Sequence, residues 1–185
     1  TAIGPFTTSK YLSQAAGVNT DFDFGTDDWS YMFWLKEAPN SGYEVIASRA
    51  YLDGASFSGS LFYLAINTAG QFIAQISDDG WVTYDAMTST NAIDDSAWHL
   101  ITLTRRGGSM YLGVDGVEQT GVAFANAVAS LSNTSATLQI GCRQGAVQPL
   151  TNASLSLLRI SKTVPTPQQI KEIYEAEKPL FQAGA

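Results

Sequence analysis

The sequence predicts an all-β protein, an antiparallel β-sandwich with one short C-terminal helix. Short runs in which apolar and polar residues alternate recur along the chain, and Gly, Asn and Asp separate them, as expected of strands with one face in a core. Only one segment, near the C-terminus, combines capping residues with helical apolar spacing. Of the 185 residues, 45% are hydrophobic. We expect a single domain over 1–185, with its core at about 10–178.

Charge and composition narrow the classes of partner. The formal net charge is −7, so the surface should repel phosphate backbones and anionic membranes, and no nucleic-acid partner is expected. No apolar run approaches the roughly 18 residues that a membrane span needs, so we expect no membrane insertion. Cys142 is the only cysteine, which excludes an internal disulfide and a thiolate metal cluster.

The first predicted strands follow one another as a meander. In segment 29–36, Phe33 and Leu35 point to one face while Met32 and Trp34 point to the other, because side chains alternate along a strand. Turn-rich stretches separate the strands that follow, which should therefore pair as neighbours. These strands are predicted at 44–52, 61–67, 71–77 and 81–85.

The second half of the chain predicts another meander. Segments 98–105 and 109–115 are joined by a Gly-Gly turn. The pair Asp115 and Gly116 then favours the positive φ angles of a tight hairpin into segment 117–120. These three segments should pair in sequence order. The last strands are predicted at 136–142 and 153–162.

One helix is predicted near the C-terminus. Thr166 is a capping residue, Pro167 suits the first helical position, and Gln169 follows the cap by three residues. Pro179 should end the helix at about Lys178. An apolar stripe with i, i+3, i+4 spacing should lie against the sandwich. It consists of Ile170, Ile173 and Tyr174.

Three segments resemble laminin G-like and concanavalin A-like lectin domains. Segment 98–121 reads WHLITLTRRGGSMYLGVDGVEQTG and is similar to the central hairpin of that family, in which a Trp-His pair opens a strand and a "VDG" turn ends the returning one. Segment 21–36, DFDFGTDDWSYMFWLK, resembles the early core strand. Segment 138–175 resembles the closing order of strand, loop, strand and helix. The resemblance spans about 10–174 and implies a concanavalin A-like jelly roll.

The C-terminal segment carries a narrower resemblance. Residues 172–182, EIYEAEKPLFQ, resemble the endings of such domains in bacteriophage structural proteins, including tail and fibre components. This resemblance implies a glycan-binding or receptor-recognition module on a virion surface, with other virion subunits as partners. The acidic, Gly/Ser/Thr-rich composition without disulfides suits that interpretation. The alternatives are a purely structural assembly subunit and a bacterial secreted or cell-surface carbohydrate-binding module.

The sequence predicts no catalytic site. His99 is the only histidine, and its place at the start of a strand favours packing or hydrogen bonding over catalysis. Cys142 lies in an apolar strand and is interpreted as a small buried residue. Glycosidases of the resembled group place paired carboxylates on one strand, whereas the acidic pairs of this chain lie in turns. These pairs are Asp27-Asp28, Asp78-Asp79 and Asp94-Asp95.

Calcium is a possible cofactor, although none is required. Members of the resembled family bind it through loop carboxylates and backbone carbonyls, the hard oxygen ligands that calcium prefers. Asp53, Asp78 and Asp79 are the candidate ligands, and they match no calcium motif of the family.

The middle meander holds the residue types of a sugar site. Aromatic rings stack on a pyranose face while polar side chains hydrogen-bond its hydroxyls. By alternation Arg49 and Tyr51 share a face, and Tyr63 should point away from the core. Two alternatives are that these aromatics fill cross-strand pairs or a second core layer, or that they form a subunit interface. The candidate ligand-binding residues are Arg49, Tyr51, Gln75, Asp78, Asp79, Trp81 and Tyr84.

Overall fold

The alternating apolar residues form fourteen strands in a computed structural model that describes residues 2–17, 22–39, 42–53, 56–59, 61–119, 121–123, 130–145 and 147–182. The strands are β1 (Leu12–Gln14), β2 (Trp29–Glu37), β3 (Glu44–Ala50), β4 (Leu52–Asp53), β5 (Ser56–Phe57), β6 (Leu61–Ile66), β7 (Gln71–Ser77), β8 (Asp85–Ala92), β9 (Trp98–Arg106), β10 (Ser109–Val114), β11 (Val117–Glu118), β12 (Val122–Ala123), β13 (Thr137–Ile140) and β14 (Ala153–Ser161). Their bounds fall within a few residues of most predicted segments.

Two six-stranded antiparallel sheets make up the sandwich. The β2 sheet has the order β11-β10-β9-β2-β14, and β12 also pairs with β10. The β6 sheet has the order β1-β13-β3-β6-β7-β8. Strands β4 and β5 form a separate two-stranded ribbon. The predicted antiparallel β-sandwich is confirmed.

The core lies between the two sheets and follows the predicted alternation. Phe33 of β2 packs in it, whereas its neighbour Trp34 faces the opposite side of the β2 sheet. In β6, Phe62 and Leu64 face the core and Tyr63 faces outward, also as predicted. Each fully buried large apolar side chain contributes about 1.5–3 kcal/mol relative to exposure, so this layer is the main source of stability.

The predicted hairpin order of the second half is confirmed. Strand β9 pairs with β10, and β10 pairs with β11. Asp115 and Gly116 connect β10 to β11 with φ angles of +52° and +77°. Positive φ at both positions matches the twist of the flanking strands and closes the hairpin in two residues.

Helix α1 (Pro167–Gln182) begins with the predicted cap. The backbone N–H of Gln169 donates to Thr166 Oγ1 at 3.2 Å, and the N–H of Thr166 donates to Gln169 Oε1 at 2.8 Å. The two residues thus satisfy each other's backbone donors at the helix start. Ile170 and Tyr174 pack on Trp34, as the apolar stripe predicts. Within the described part of the chain, no helix has the length and apolar character needed to cross a membrane.

The predicted end of the helix at Lys178 is wrong. Pro179 lies inside α1, which continues to Gln182. The ring of Phe181 stacks on Trp34 with centroids 4.4 Å apart, and Gln182 Nε2 donates to the carbonyl of Trp98 at 3.0 Å. These tertiary contacts stabilise the last turn enough to offset the hydrogen bond that proline cannot donate.

The predicted strand at 81–85 is also wrong. Residues 77–84, here named the 77–84 turn, consist of the last residue of β7 and the loop that leads to β8. Trp81 has a φ of +80°, far from the β region that a regular strand residue adopts. The alternation belongs to β8 instead, where Met87 and Ser89 are buried. Few residues of β8 are apolar, and the sequence pattern therefore concealed this strand.

Candidate ligand-binding site

A cavity of about 250 Å³ lies on the face of the β6 sheet that points away from the core. Its floor is a cross-strand row in which Ser48 of β3 pairs with Tyr63 of β6, and Tyr63 pairs with Gln75 of β7. Ala50 lies two residues beyond Ser48 on the same face of β3. Because Ser48 and Ala50 are small, the sheet leaves space above them.

Aromatic rings form much of the wall. The indole of Trp81 meets the ring of Tyr63 edge-on, with centroids 6.0 Å apart and planes at 73°. Phe57 of β5 lies 6.2 Å from Trp81 in a tilted arrangement. Tyr43, Arg143 and Gln148 complete the loop-derived lining. The cavity therefore combines flat apolar rings with a few polar groups.

Side-chain hydrogen bonds within the 77–84 turn hold Trp81 in place. The hydroxyl of Ser77, a buried residue, accepts the N–H of Trp81 at 3.0 Å and donates to Asp79 Oδ1 at 2.9 Å. Asp79 in turn accepts the N–H of Thr83 at 2.9 Å and its hydroxyl at 2.7 Å. The hydrogen bonds from Thr83 lower the pKa of the Asp79 carboxyl. Backbone donors bound to a local carboxylate fix the loop without help from the sheet ladder.

A glycine brings this turn close to the β4–β5 ribbon. The N–H of Gly80 donates to the carbonyl of Gly59 at 3.0 Å. Gly80 has a φ of +75°, and a Cβ there would lie 2.6 Å from the carbonyl oxygen of Phe57. Only glycine suits this position, since a side chain would collide with the backbone of Phe57 and push the turn away from the ribbon.

Tyr63 and Gln148 form the polar centre of the cavity. The hydroxyl of Tyr63 donates to Gln148 Oε1 at 3.2 Å. Burial raises the pKa of Tyr63 to about 12, although the nearby Arg143 guanidinium opposes that rise. Because the phenol stays protonated at physiological pH, its O–H remains the donor of the hydrogen bond that orients Gln148.

Arg143 extends over one of the aromatic rings. Its backbone N–H donates to the carbonyl of Val147 at 3.0 Å, which anchors the short loop that carries it. Its guanidinium carbon lies 5.3 Å from the centroid of the Phe57 ring, within cation–π range. Its Nε atom is buried and makes no hydrogen bond with the described residues.

The structure brings only some of the predicted site residues together. Gln75 and Trp81 line the cavity. Tyr84, which is 42% exposed, stacks on Trp81 with centroids 5.3 Å apart. Tyr51 is 36% exposed, and it is not among the lining residues. Asp78 is half-buried in the 77–84 turn. The binding role of all these residues stays a prediction.

Arg49 lies away from the cavity, which corrects the predicted grouping. It is buried, and its guanidinium donates to the carbonyls of Leu131 at 2.9 Å and Asn133 at 2.7 Å. A β-bulge between Val45 and Ala47 explains its direction. The bulge resets the alternation of β3, so that Ser48 faces the cavity and Arg49 the sandwich interior.

No calcium ligand set emerges from the candidates. Asp79 uses its carboxylate to hold the 77–84 turn, and the side chain of Asp53 lies outside the described residues. Within the described ranges, no group of three or more His, Cys, Asp or Glu side chains is placed to hold a metal ion. Calcium binding therefore stays a prediction without assigned ligands.

Most lining residues were missed by the sequence reasoning, among them Tyr43, Phe57, Arg143 and Gln148. Phe57 belongs to the β4–β5 ribbon and the other three come from loops. Alternation along a strand carries no information about which of these segments meet. The sequence feature that could have indicated the cavity is the pair of small outward-facing residues in β3, because neighbouring loops often cover a gap in the surface of a sheet.

His99 is hydrogen-bonded and Cys142 is buried, as the sequence predicts. His99 Nδ1 lies 2.8 Å from Asp115 Oδ2, and Nε2 lies 3.1 Å from Asp95 Oδ1, so both ring nitrogens are engaged. The hydrogen bond with Asp115 is the main cause that raises the pKa of His99. Cys142 is fully buried, and burial raises the pKa of its thiol to about 11.

Comparisons with known proteins agree with this architecture. The receptor binding domain of botulinum neurotoxin D superposes with a TM-score of 0.68 at 14% identity, covering 93% of this chain and 43% of that one. The serotype D ligand binding domain in complex with N-acetylneuraminic acid gives 0.61 at 15% identity, covering 91% and 46%. Domains LG4-5 of the mouse laminin alpha1 chain give 0.64 at 14%, covering 86% and 41%. The chain thus spans less than half the length of each.

Sequence comparison identifies the family directly. A search of curated proteins found no significant match to the chain. The family model named Laminin_G_3 matches residues 8–171, which is most of the sequence. The chain therefore belongs to this family of the Concanavalin A-like lectin/glucanases superfamily.

Proposed function

We propose that this chain is a non-catalytic binding module that recognises a sugar ring in the cavity of the β6 sheet. The observation that carries the proposal is the aromatic wall of Trp81, Tyr63 and Phe57 beside the amides of Gln75 and Gln148. Flat rings bind the apolar face of a pyranose, and amides exchange hydrogen bonds with its hydroxyls. At about 250 Å³ the cavity is slightly smaller than the ~300–1,000 Å³ of most ligand sites, a size that suits one sugar unit.

The environments of two potential catalytic residues support a non-catalytic role. His99 holds two aspartates with its two nitrogens, and it lies on the β2 sheet rather than in the cavity. The raised pKa of Cys142 keeps the thiol protonated at neutral pH, whereas a nucleophile needs the thiolate. The similar toxin structures are described as receptor- and ligand-binding domains, one of them with a bound sialic acid, which further favours recognition.

We propose the surface of a bacteriophage virion as the location of the module, in a tail fibre or on a capsid. The support is the resemblance of segment 172–182 to endings of phage structural domains, together with the acidic composition. Genes for virion proteins beside this one in its genome, and antibody labelling of intact particles, are the expected observations. Neighbouring polysaccharide-utilisation genes would instead favour a secreted bacterial module.

A structural assembly subunit is the second candidate, and one exposed patch favours it. Val82 is 81% exposed in the 77–84 turn, close to the half-exposed Tyr84. Exposed apolar groups of this kind often lie in subunit contacts. If assembly is the role, Val82→Asp converts an oligomer into monomers in sedimentation equilibrium. If the chain is a binding module alone, the wild type is already monomeric and the substitution changes nothing.

Titration with sugars tests the binding proposal. Trp81→Gly removes the indole and tolerates the φ of +80°, so the turn should keep its shape. Loss of such a platform should weaken binding by about 1–3 kcal/mol, or roughly tenfold to a hundredfold. Nuclear magnetic resonance titration after a glycan-array screen measures this loss.

Val117→Ala is the control because Val117 is an apolar residue 70% exposed on the β2 sheet, outside the cavity lining. It should leave the affinity unchanged. Equal affinities of the wild type and a folded Trp81→Gly variant would place the sugar elsewhere. If the folded wild type binds no glycan in a broad panel, the binding proposal fails and the assembly role is favoured.

A further inference from the structure

We propose that the sugar bound in this cavity carries an anionic group, a carboxylate or a sulfate, which Arg143 binds. The inference rests on the proposed function and narrows its ligand class. It depends on three observations: the charge of the lining, the absence of a described acidic partner for Arg143, and the position of the guanidinium over an aromatic ring.

The lining has a charge opposite to that of the chain. The chain has a formal net charge of −7, yet no Asp or Glu occurs among the described residues that line the cavity. Arg143 is the one Lys or Arg among them. A lone cation in a concave, partly apolar site attracts an anion more strongly there than on the open surface, because water screens it less.

Arg143 also differs from other arginines of the chain. Arg49 lies 3.6 Å from Asp23, Arg106 pairs with Glu118, and Arg159 pairs with Glu177. Across the described ranges, no carboxylate lies within 4.0 Å of the Arg143 guanidinium. Its Nε–H makes no hydrogen bond there either. Because that atom is buried, an incoming anion would meet the two terminal nitrogens of the guanidinium instead.

The guanidinium is held in a fixed position before a ligand arrives. It lies over the Phe57 ring, and the backbone of Arg143 is bonded to Val147. A planar guanidinium on an aromatic face presents its N–H edge as a fork, and that fork matches two oxygens of a carboxylate or sulfate. Tyr63 orients Gln148 in the same cavity, so a second polar group lies ready for the ring hydroxyls.

The test compares sugars that differ only in charge. The probes are methyl glucuronide and methyl glucoside, galactose 6-sulfate and galactose, and N-acetylneuraminic acid and its methyl ester. Isothermal titration or nuclear magnetic resonance titration gives the affinities of the wild type, Arg143→Gln and Arg143→Lys. Lys162→Gln is the charge-matched control, since Lys162 is an exposed cation on the β2 sheet side.

The expected result is a selective loss. The wild type should bind at least one acidic sugar more tightly than its neutral counterpart, and Arg143→Gln should lower that affinity about tenfold to a hundredfold. The neutral affinity should stay unchanged, and Lys162→Gln should bind like the wild type. The preferred probe then tells carboxylate from sulfate.

Four outcomes separate this inference from the proposed function. Equal affinity of the wild type for acidic and neutral sugars overturns the inference and leaves the binding function standing. A loss in Arg143→Gln that is equal for both classes does the same. If Arg143→Gln melts at a much lower temperature, Arg143→Lys is used instead, because it keeps the positive charge but lacks the planar fork. A preference of Arg143→Lys for acidic sugars equal to that of the wild type would contradict the role of the fork. Failure of the wild type to bind any sugar rejects the proposed function itself.

Discussion

The indole of Trp81 and the phenol of Tyr84 lie nearly parallel, with ring centroids 5.3 Å apart and planes 15° apart. Such a stack contributes about 0.5–1.5 kcal/mol beyond the burial of area. Both rings belong to the same turn, and only Trp81 lines the cavity. Tyr84 therefore acts on the cavity through Trp81, which it keeps in position against Tyr63.

Replacement of Tyr84 should consequently affect binding at a distance. Tyr84→Ala is expected to weaken sugar binding by up to about tenfold, because Trp81 loses its stacking partner. Tyr84→Phe keeps the ring and should bind like the wild type. Titration of both variants with the sugar found for the wild type measures the difference. An Ala variant as tight as the Phe variant would mean that the stack does not orient Trp81.

Ser77 is expected to support both stability and binding. Ser77→Ala removes the acceptor of the Trp81 N–H and a donor to Asp79, and should lower the free energy of unfolding by about 1–3 kcal/mol. Sugar affinity should fall as well. Urea denaturation and titration measure the two effects. Ser58→Ala is the control, since this serine is exposed and its loss should stay within about 0.5 kcal/mol.

The stability of the fold should decrease as pH rises above the ordinary histidine value. The hydrogen bond with Asp115 raises the pKa of His99 from 6.5, so the folded state holds the proton more tightly than the unfolded state. This stabilisation is complete below pH 6.5 and is lost as pH rises through the folded pKa. Urea midpoints measured from pH 6 to pH 9 should fall for the wild type. His99→Gln should remove that part of the decline, and parallel curves for the two proteins would contradict the assignment.

The last turn of α1 should depend on Phe181 and not on its neighbour. Phe181→Ala removes the ring stacked on Trp34 and should destabilise the protein by about 1–3 kcal/mol. Leu180 is 74% exposed, so Leu180→Ala should change stability by no more than about 0.5 kcal/mol. Thermal denaturation of both variants provides the comparison. Equal melting temperatures would show that the turn beyond Pro179 contributes little.

The thiol of Cys142 should react only when the protein opens. It is fully buried, and its pKa of about 11 leaves little thiolate at pH 8. A chromogenic thiol reagent should therefore label the native protein slowly and label one thiol per chain in denaturing urea. Rapid labelling without denaturant would contradict the burial of Cys142.

The features that the sequence predicted correctly are those that a few neighbouring residues determine. The opposite faces of Phe33 and Trp34 follow from a period of two, and the Asp115–Gly116 hairpin follows from its need for positive φ. The reciprocal cap of Thr166 and Gln169 likewise depends on residues three apart. Each of these features is specified within a few residues of sequence.

Features that depend on tertiary contacts were not predicted. Pro179 should end a helix, yet the stack of Phe181 on Trp34 continues it. Arg49 was assigned to the wrong surroundings because one bulge in β3 reverses the faces of the residues that follow. Arg143 and Gln148 belong to a loop that reaches the cavity, and the alternation pattern of the strands does not predict where that loop lies.

The 77–84 turn and the sheet beneath it have separate structural requirements. The turn is fixed by Ser77, Asp79 and Gly80, whereas the row of Ser48, Tyr63 and Gln75 is fixed by strand pairing. Val82 and Tyr84 are exposed, and Trp81 is the one lining residue that the turn supplies. Trp81, Val82 and Tyr84 are therefore suitable positions for a library of sequence variants. If Ser77, Asp79 and Gly80 are kept, changing these three positions should yield folded variants with altered ligand preference.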